Sequence, residues 1–496
     1  MGVPFIAVFT MFSVLGAEGT GMAAPRLKSL VPNTVNTSPD YFCTWNIQGY
    51  YSSYASGDAQ KDAILESRLF GHGQYENWLG QFSQVRGDLY FVMDEGWDRP
   101  DENVMVVPGR FPSYVSGTQP ENFKKLSDAV KKSGWRGLGL WMRADRKTDD
   151  IWAERLQWMR ASGIAYWKVD YGDQDRDEAW RRHLTEMGRD KAPALTIETA
   201  MVPHALTWAD TYRTYDVDAL VSVPQTLSRV VTALQFKAEG PARGVINCED
   251  EVYMGAALGC SYGVMRHSFA GSLPSGRQDF VFPPITRDLK HCMDEVIRAV
   301  RWHRIAPAFA VGAMPVETSS EQFTDNWQFG KDESWDVAEG QQRSVSAPAA
   351  VTRGLPLPTV AAASGSVKPF VVASRNPNGA VSVATMGRAL CPSATDRQWI
   401  TGEVADVKLE IGKYSGPIGI FGRYHSLILT FDKPMTGQRL LAQDLAGDVP
   451  QDITRLVRFT GNAVEIPGAL IDRIGRSVAT RGDKSDPGLV LVAAPR

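Results

Sequence analysis

Cysteine is scarce in this sequence: five residues, Cys43, Cys248, Cys260, Cys292 and Cys391, are scattered over 496 positions. None sits in a C-x-x-C pair or beside histidine at ligand spacing, which argues against a disulfide scaffold and against a structural zinc. Charge of one sign is also lacking. A formal net charge of −3 leaves no footprint for nucleic acid or an anionic membrane surface, so a neutral partner is expected. Long hydrophobic runs are confined to the start, since no other segment reaches the roughly 18 uncharged apolar residues needed to cross a bilayer. No glycine-rich phosphate turn follows the first strand-like run, so an open dinucleotide-binding sheet is not indicated and no cofactor is expected.

The start, MGVPFIAVFTMFSVLGAEGTGMAAP (1–25), joins an apolar run to small residues without a basic leading segment. It reads either as an export signal over 1–24, implying a secreted or periplasmic protein, or as an apolar extension of the folded chain. The rest has globular proportions, 43% apolar and 22% charged. Its length exceeds what one hydrophobic core supports, which predicts at least two domains. Aromatic residues make up 10% with 14 Trp; most such residues pack cores, but exposed ones serve as platforms for the apolar faces of sugars.

Between residue 36 and about 315, short apolar runs alternate with amphipathic ones. Strand-like runs are YFCTW (41–45), DLYFVMD (88–94), GLGLWM (137–142), AYWKVD (165–170), ALTIET (194–199), DALVSV (218–223) and RGVINC (243–248), with an eighth expected near QDFVFP (278–283). Helical patterns at 122–134, 150–163 and 177–188 each end at a glycine suited to a C-cap. This alternation predicts an α/β fold, a (β/α)8 TIM barrel over 36–315 preceded by an N-terminal extension, 1–35. After about residue 316 helical periodicity disappears, and short strands broken by Pro, Gly and Asn-Gly turns predict a C-terminal antiparallel β-sandwich over 316–496.

In such a barrel the residues at the C-terminal strand ends line the mouth where chemistry occurs. Collected along the chain these are Trp45, Asp94, Glu95 and Trp97, then Trp141, Lys168 and Asp170, then Glu198, Asp216 and Asp218, and finally Asp250 within CEDE and His267 beside Arg266. Carboxylates and aromatics thus converge on one face. Two carboxylates and aromatic walls are what glycosidic cleavage requires, one acid ionised to attack the anomeric carbon and one protonated to serve the leaving oxygen. Lys168, two residues before Asp170, shares its face of the strand and would keep that carboxylate ionised.

At these residues the sequence resembles the clan D glycoside hydrolases, the α-galactosidases of families 27 and 36 with their relatives the α-N-acetylgalactosaminidases and β-L-arabinopyranosidases. YWKVDYGD (166–173) resembles the fourth-strand K-x-D motif, DEGW (94–97) the second-strand D-D-G-W, and TWNIQGY (44–50) the first-strand G-W-N-S-W. GLGLWM, YRTYDVDA (212–219) and NCEDEVYMGAALG (247–259) are similar to the third-, sixth- and seventh-strand segments. The resemblance implies a retaining exo-acting enzyme on an oligosaccharide or other glycoside, with no metal. Asp170 would be the nucleophile and Asp216 the acid/base, with Asp218 in reserve. Trp45, Asp94, Glu95, Trp97, Trp141, Lys168, Glu198, Arg213 and Asp250 would contact the sugar.

Two positions depart from the family. Glu95 replaces the second aspartate of the second-strand motif, and Gln48 the second tryptophan of the first. An extra methylene at Glu95 would crowd the hydroxymethyl group of galactose, which keeps a β-L-arabinopyranoside as an alternative substrate. Rival classes are a metal-dependent sugar isomerase or epimerase built on the CEDE acids, and a non-catalytic sugar-binding protein. Lysine in the K-x-D pair would compete with a cation, and the presence of both Asp170 and Asp216 favours catalysis.

Overall fold

The computed structural model describes residues 27–73, 75–214, 222–236, 243–246, 251–269, 271–277, 289–330, 338–362, 367–393, 396–400 and 405–495. The stretch 1–24, the expected eighth strand at 278–283, and Asp216, Asp218 and Asp250 lie outside them.

Eight short parallel strands close into a barrel: β1 (Tyr41–Cys43), β2 (Tyr90–Met93), β3 (Gly137–Met142), β4 (Tyr166–Val169), β5 (Thr196–Thr199), β6 (Thr211–Arg213), β7 (Arg243–Ile246) and β8 (Ser261–Val264), with β8 pairing back onto β1. Successive side chains on a strand point to opposite faces, and the sequence exploits this fully. Phe42, Phe91, Leu138, Leu140, Trp167 and Ile197 point outward into a large core shared with the surrounding helices. Tyr41, Cys43, Tyr90, Val92 and Tyr166 form a separate cluster inside the barrel. Each outward side chain, fully removed from water, contributes about 1.5–3 kcal/mol. Inside, Gly139 leaves room for the tyrosines, because a Cβ there would meet Val92 Cγ2 at 2.8 Å and Tyr166 Cβ at 3.0 Å.

The helices behind these strands start where the sequence supplies caps. Thr118 and Glu121 form a capping box at the start of Gln119–Lys132, and Asp177 accepts from the Trp180 amide at the start of Glu178–Lys191. The helix Asp149–Ser162 ends at Gly163, whose left-handed φ of 68° is suited to glycine. Gly188, expected to end its helix, instead lies inside it. A Cβ there would meet Ile197 Cδ1 at 2.4 Å, so this glycine serves close packing of helix on strand.

Two expected strands are corrected. The sixth is Thr211–Arg213; of the run expected to form it, Ser222 and Val223 open the helix Ser222–Leu234, and 218–221 lie outside the described residues. A six-residue apolar run carries no decisive period, and the amphipathic stretch that follows it won. The barrel is closed by Ser261–Val264, a four-residue strand in which Ser261 and Gly263 dilute the signal of Tyr262 and Val264, shortly after the helix Val252–Leu258.

The remainder forms two large sheets and, among the described residues, two two-stranded ones, Gln322–Gln328 with Gln342–Pro348 and Arg388–Ser393 with Asp396–Ile400. One large sheet has eight strands, from Gln451–Asp452 at one edge to Val316–Thr318 at the other; the second has five, Thr359–Ala362 to Arg458–Thr460. Val407, Leu409, Ile420, Leu427 and Leu429 fill the space between them. Antiparallel pairs predominate, but Ala350–Arg353 with Phe370–Arg375, Val381–Met386 with Ile418–Phe421, and Ala405–Gly412 with Ser426–Phe431 are parallel, so both sheets are mixed. Buried ties join this domain to the barrel: Arg298 pairs with Asp444 at 2.9 Å, and Arg353 donates to the Ala310 carbonyl at 2.9 Å. Among the described residues no helix is long and apolar enough to cross a membrane.

Candidate active site

The inward positions change character along each strand. Deep in the barrel they are tyrosines; toward the C-terminal ends they are ionisable. Lys168 follows Tyr166 on β4 and lies beside Trp141 on β3 and Glu198 on β5, its register partners. Arg213 ends β6, and Asp94 and Asp170 stand just past β2 and β4. Asp94, Lys168, Asp170, Glu198 and Arg213 are all buried, none more than 7% exposed.

They form one string of alternating charge. Lys168 Nζ lies 2.7 Å from Asp94 Oδ2 and 3.9 Å from Asp170 Oδ2. Arg213 reaches Asp170 Oδ2 at 2.8 Å and Glu198 Oε1 at 2.8 Å. The Tyr166 hydroxyl donates to Glu198 Oε2 at 2.5 Å, and the Cys43 thiol donates to Asp94 Oδ2 at 2.7 Å. Asp170 Oδ1 has no hydrogen-bond partner among the described residues.

Burial opposes the Asp170 charge, but Arg213, Lys168 and Arg181 outweigh it and hold the carboxyl below its ordinary range. For Glu198 the balance tips the other way: burial pushes it up despite Arg213 and Lys168. Burial and then the Asp94 charge push the Cys43 thiol well up, so it is a hydrogen-bond donor here and not a nucleophile. The main chain under Asp170 is tied on both sides. Its amide donates to the Met142 carbonyl at 3.0 Å, while Arg181 from the helix Glu178–Lys191 donates to the carbonyls of Val169 and Asp170 at 3.0 and 2.9 Å.

Around this centre the expected contact residues fare differently. Trp141 faces inward beside Lys168, and Trp45, partly buried, opens a short helix against the inner cluster. Trp97 is a correction. It is fully buried, its indole donates to the Trp141 carbonyl at 2.9 Å and its ring packs on Phe123, so it braces the wall from behind. Glu198 and Arg213 are likewise fully buried, with partners on both sides. Glu95 pairs with Lys61 at 2.7 Å, from the helix Gly57–Asp62; burial nonetheless pushes its carboxyl up. Gln48, expected at the pocket, is fully buried, donating to the backbone carbonyls of Gln60 and Glu95 at 3.2 and 3.0 Å. His267 is buried against Tyr50 and Phe269 and holds its loop.

Sequence reasoning missed Cys43, Tyr166, Lys61 and Arg181. For the first two a signal existed, since Cys43 lies two residues before Trp45 and Tyr166 two before Lys168, on the inward parity. Lys61 and Arg181 come from helices, and nothing local marks them.

No family model matches the chain, and no curated protein matches it. Among solved structures it is similar to a β-L-arabinopyranosidase of Geobacillus stearothermophilus, at 10% identity over 93% of this chain and 97% of that one, with a TM-score of 0.41. A candidate α-galactosidase of Bacteroides fragilis aligns at 12% identity over 63% of this chain and 77% of its own, with a TM-score of 0.36. A candidate α-N-acetylgalactosaminidase of Bacillus halodurans aligns at 11% identity, covering 65% and 96%, with a TM-score of 0.34. Identity this low leaves the chemistry to be read from this chain's own residues.

Proposed function

We propose that the protein is a retaining, exo-acting glycoside hydrolase that releases a terminal galacto-configured sugar. One observation carries the reading: at the barrel mouth Asp170 is held ionised, with Oδ2 clamped by Arg213 and Oδ1 left without a partner among the described residues. A desolvated, immobilised carboxylate with one free lone pair is what attack on an anomeric carbon needs.

In the first step Oδ1 donates an electron pair to the anomeric carbon as the bond to the aglycone oxygen breaks with its electrons. That oxygen takes a proton from the acid/base, which the sequence resemblance assigns to Asp216, with Asp218 in reserve. Water then attacks the same carbon, gives a proton to the same group, and Asp170 leaves; two inversions retain the anomeric configuration. Asp94, fixed by Lys168 and Cys43, presents its carboxylate to ring hydroxyls, and Trp141 supplies an apolar wall. The Lys168 ammonium already supplies a cation between Asp94 and Asp170, and positions 248–250 of the CEDE acids on which the isomerase reading rests lie outside the described residues.

A β-L-arabinopyranoside is the second reading, favoured by the Glu95–Lys61 pair. Lys61 fixes the longer acid in place, so the site cannot relax to admit a hydroxymethyl group. A panel of nitrophenyl galactoside, N-acetylgalactosaminide, arabinopyranoside and glucoside tests the proposal, with NMR of the first-formed anomer. Hydrolysis of none, or release of the inverted anomer, overturns it.

A further inference from the structure

Asp170 does not have Arg213 to itself. One terminal guanidinium nitrogen lies 2.8 Å from Asp170 Oδ2, while Nε lies 2.8 Å from Glu198 Oε1. Glu198 is held from below by the Tyr166 hydroxyl at 2.5 Å. Tyr166 is itself fixed by ring contacts to Tyr41 and Tyr90, with centroids 4.9 and 5.7 Å away, in the space that Gly139 leaves. Glu198, Arg213 and Tyr166 are fully buried, so this arm of the string acts on the site through Asp170 and Lys168 rather than by touching a ligand. The cations facing Asp170 are Arg213 on β6, Lys168 on β4 and Arg181 from the following helix. Arg181 is spent on backbone carbonyls, and Lys168 lies much closer to Asp94 than to Asp170. Among the described residues the acid that competes with Asp170 for Arg213 is Glu198.

We propose that Glu198 is a positioning residue that divides the Arg213 charge between itself and Asp170, with Tyr166 fixing the division. The inference rests on Asp170 being the nucleophile. A carboxylate facing an undivided guanidinium is ionised but weakly basic, hence a poor attacker; in the second step the same weak basicity makes it a good leaving group. Sharing Arg213 therefore favours the first step at the expense of the second, and balances them.

Glu198→Gln tests this, because it keeps the shape and an acceptor oxygen for Arg213 while removing the competing charge. The probe is a fluorinated galactoside with a trinitrophenyl leaving group, alongside its arabinopyranosyl counterpart, both of which arrest at the glycosyl-enzyme. The variant is expected to form the adduct about threefold to tenfold more slowly and to release it faster than the unaltered enzyme. A lesion that merely loosens the barrel slows both steps. Rates that fall together, or do not change, overturn the inference while leaving the nucleophile in place. If mass spectrometry finds no adduct on Asp170 of the unaltered protein with either probe, the glycosidase reading fails and takes this inference with it. Should Glu198→Gln not fold, Tyr166→Phe replaces it. A buried Glu198 without its hydroxyl donor protonates more readily and releases Arg213, so the same opposed changes are expected at smaller size, and their absence is equally fatal.

Discussion

Between its two sheets the C-terminal domain packs Val407, Leu409, Ile420, Leu427 and Leu429, each fully buried, whereas the barrel mouth buries Asp94, Lys168, Asp170, Glu198 and Arg213 almost as deeply. The two regions spend burial on opposite materials. Apolar side chains gain from leaving water; charges lose solvation there and recover it only through close partners, so a buried charge network contributes little net stability. The sandwich can therefore be explained by folding alone, and the mouth cannot. Five charges kept dry at one rim of a barrel, joined in one string around a carboxylate oxygen that has no partner among the described residues, are what the proposed chemistry requires.

The contrast is broken most severely at Asp170. Asp170→Asn changes charge but hardly volume, and turnover is expected to fall by a factor on the order of a thousand or more, with circular dichroism unaltered. Appreciable activity in the folded variant removes Asp170 as nucleophile. Next come paired substitutions, one in each region. Lys168→Met leaves Asp94 and Asp170 facing each other without their shared cation, at a cost of about 3–5 kcal/mol in chemical denaturation, together with loss of activity. Leu429→Ala opens a cavity in the sandwich and costs about 2–5 kcal/mol, with kcat unchanged. Equal loss of activity in both variants would erase the distinction between the regions.

A smaller effect concerns Asp98, a buried acid of the barrel without an ion pair among the described residues, whose Oδ2 accepts from the Val104 amide at 2.9 Å. Burial raises its pKa to about 6. Because the folded value lies above the unfolded one, the folded state favours the protonated form. The stability this group contributes is complete below about pH 4 and is lost as pH rises through about 6. Asp98→Asn is expected to stabilise the protein by about 1–3 kcal/mol at pH 7 and not at pH 4, read from denaturation midpoints at both. Smallest is a change of preference. Glu95→Asp should raise kcat/KM for α-galactosides relative to β-L-arabinopyranosides by about 1–3 kcal/mol, the worth of one methylene in a pocket. An unchanged ratio removes Glu95 from the determinants of specificity.

The fold was legible wherever a strand alternated strongly or a helix carried caps. YFVM and GLGLWM announced themselves by apolar content, and the capping residues Thr118 and Asp177 fixed two helix starts. Ser261–Val264 was hidden because serine and glycine carry almost no strand signal, and Gly188 misled because a glycine chosen for close packing looks the same as one that ends a helix. At the site, period-two parity placed Lys168 and Asp170 on one face, as found. What parity could not supply was depth. Glu198 and Arg213 point inward like contact residues, and the register sets Glu198 level with Lys168, yet both are fully buried with partners on either side, which only the folded strands reveal. Trp97 was misjudged for a related reason, since a tryptophan after a strand end looks the same in sequence whether it faces the mouth or the helix Gln119–Lys132 behind it.

The ties beneath Asp170 bear on how such a protein diversifies. With its amide bound to Met142 and two carbonyls gripped by Arg181, the carboxylate proposed as nucleophile is a fixed landmark. The rim around it is assembled differently, from loop and short-helix residues such as Glu95 and Lys61 that meet through side chains. Under the proposed reaction, exchange of rim residues alters which glycoside is accepted while the reacting oxygen stays where it is, so that new preferences would be inherited through the rim and the chemistry through the strand.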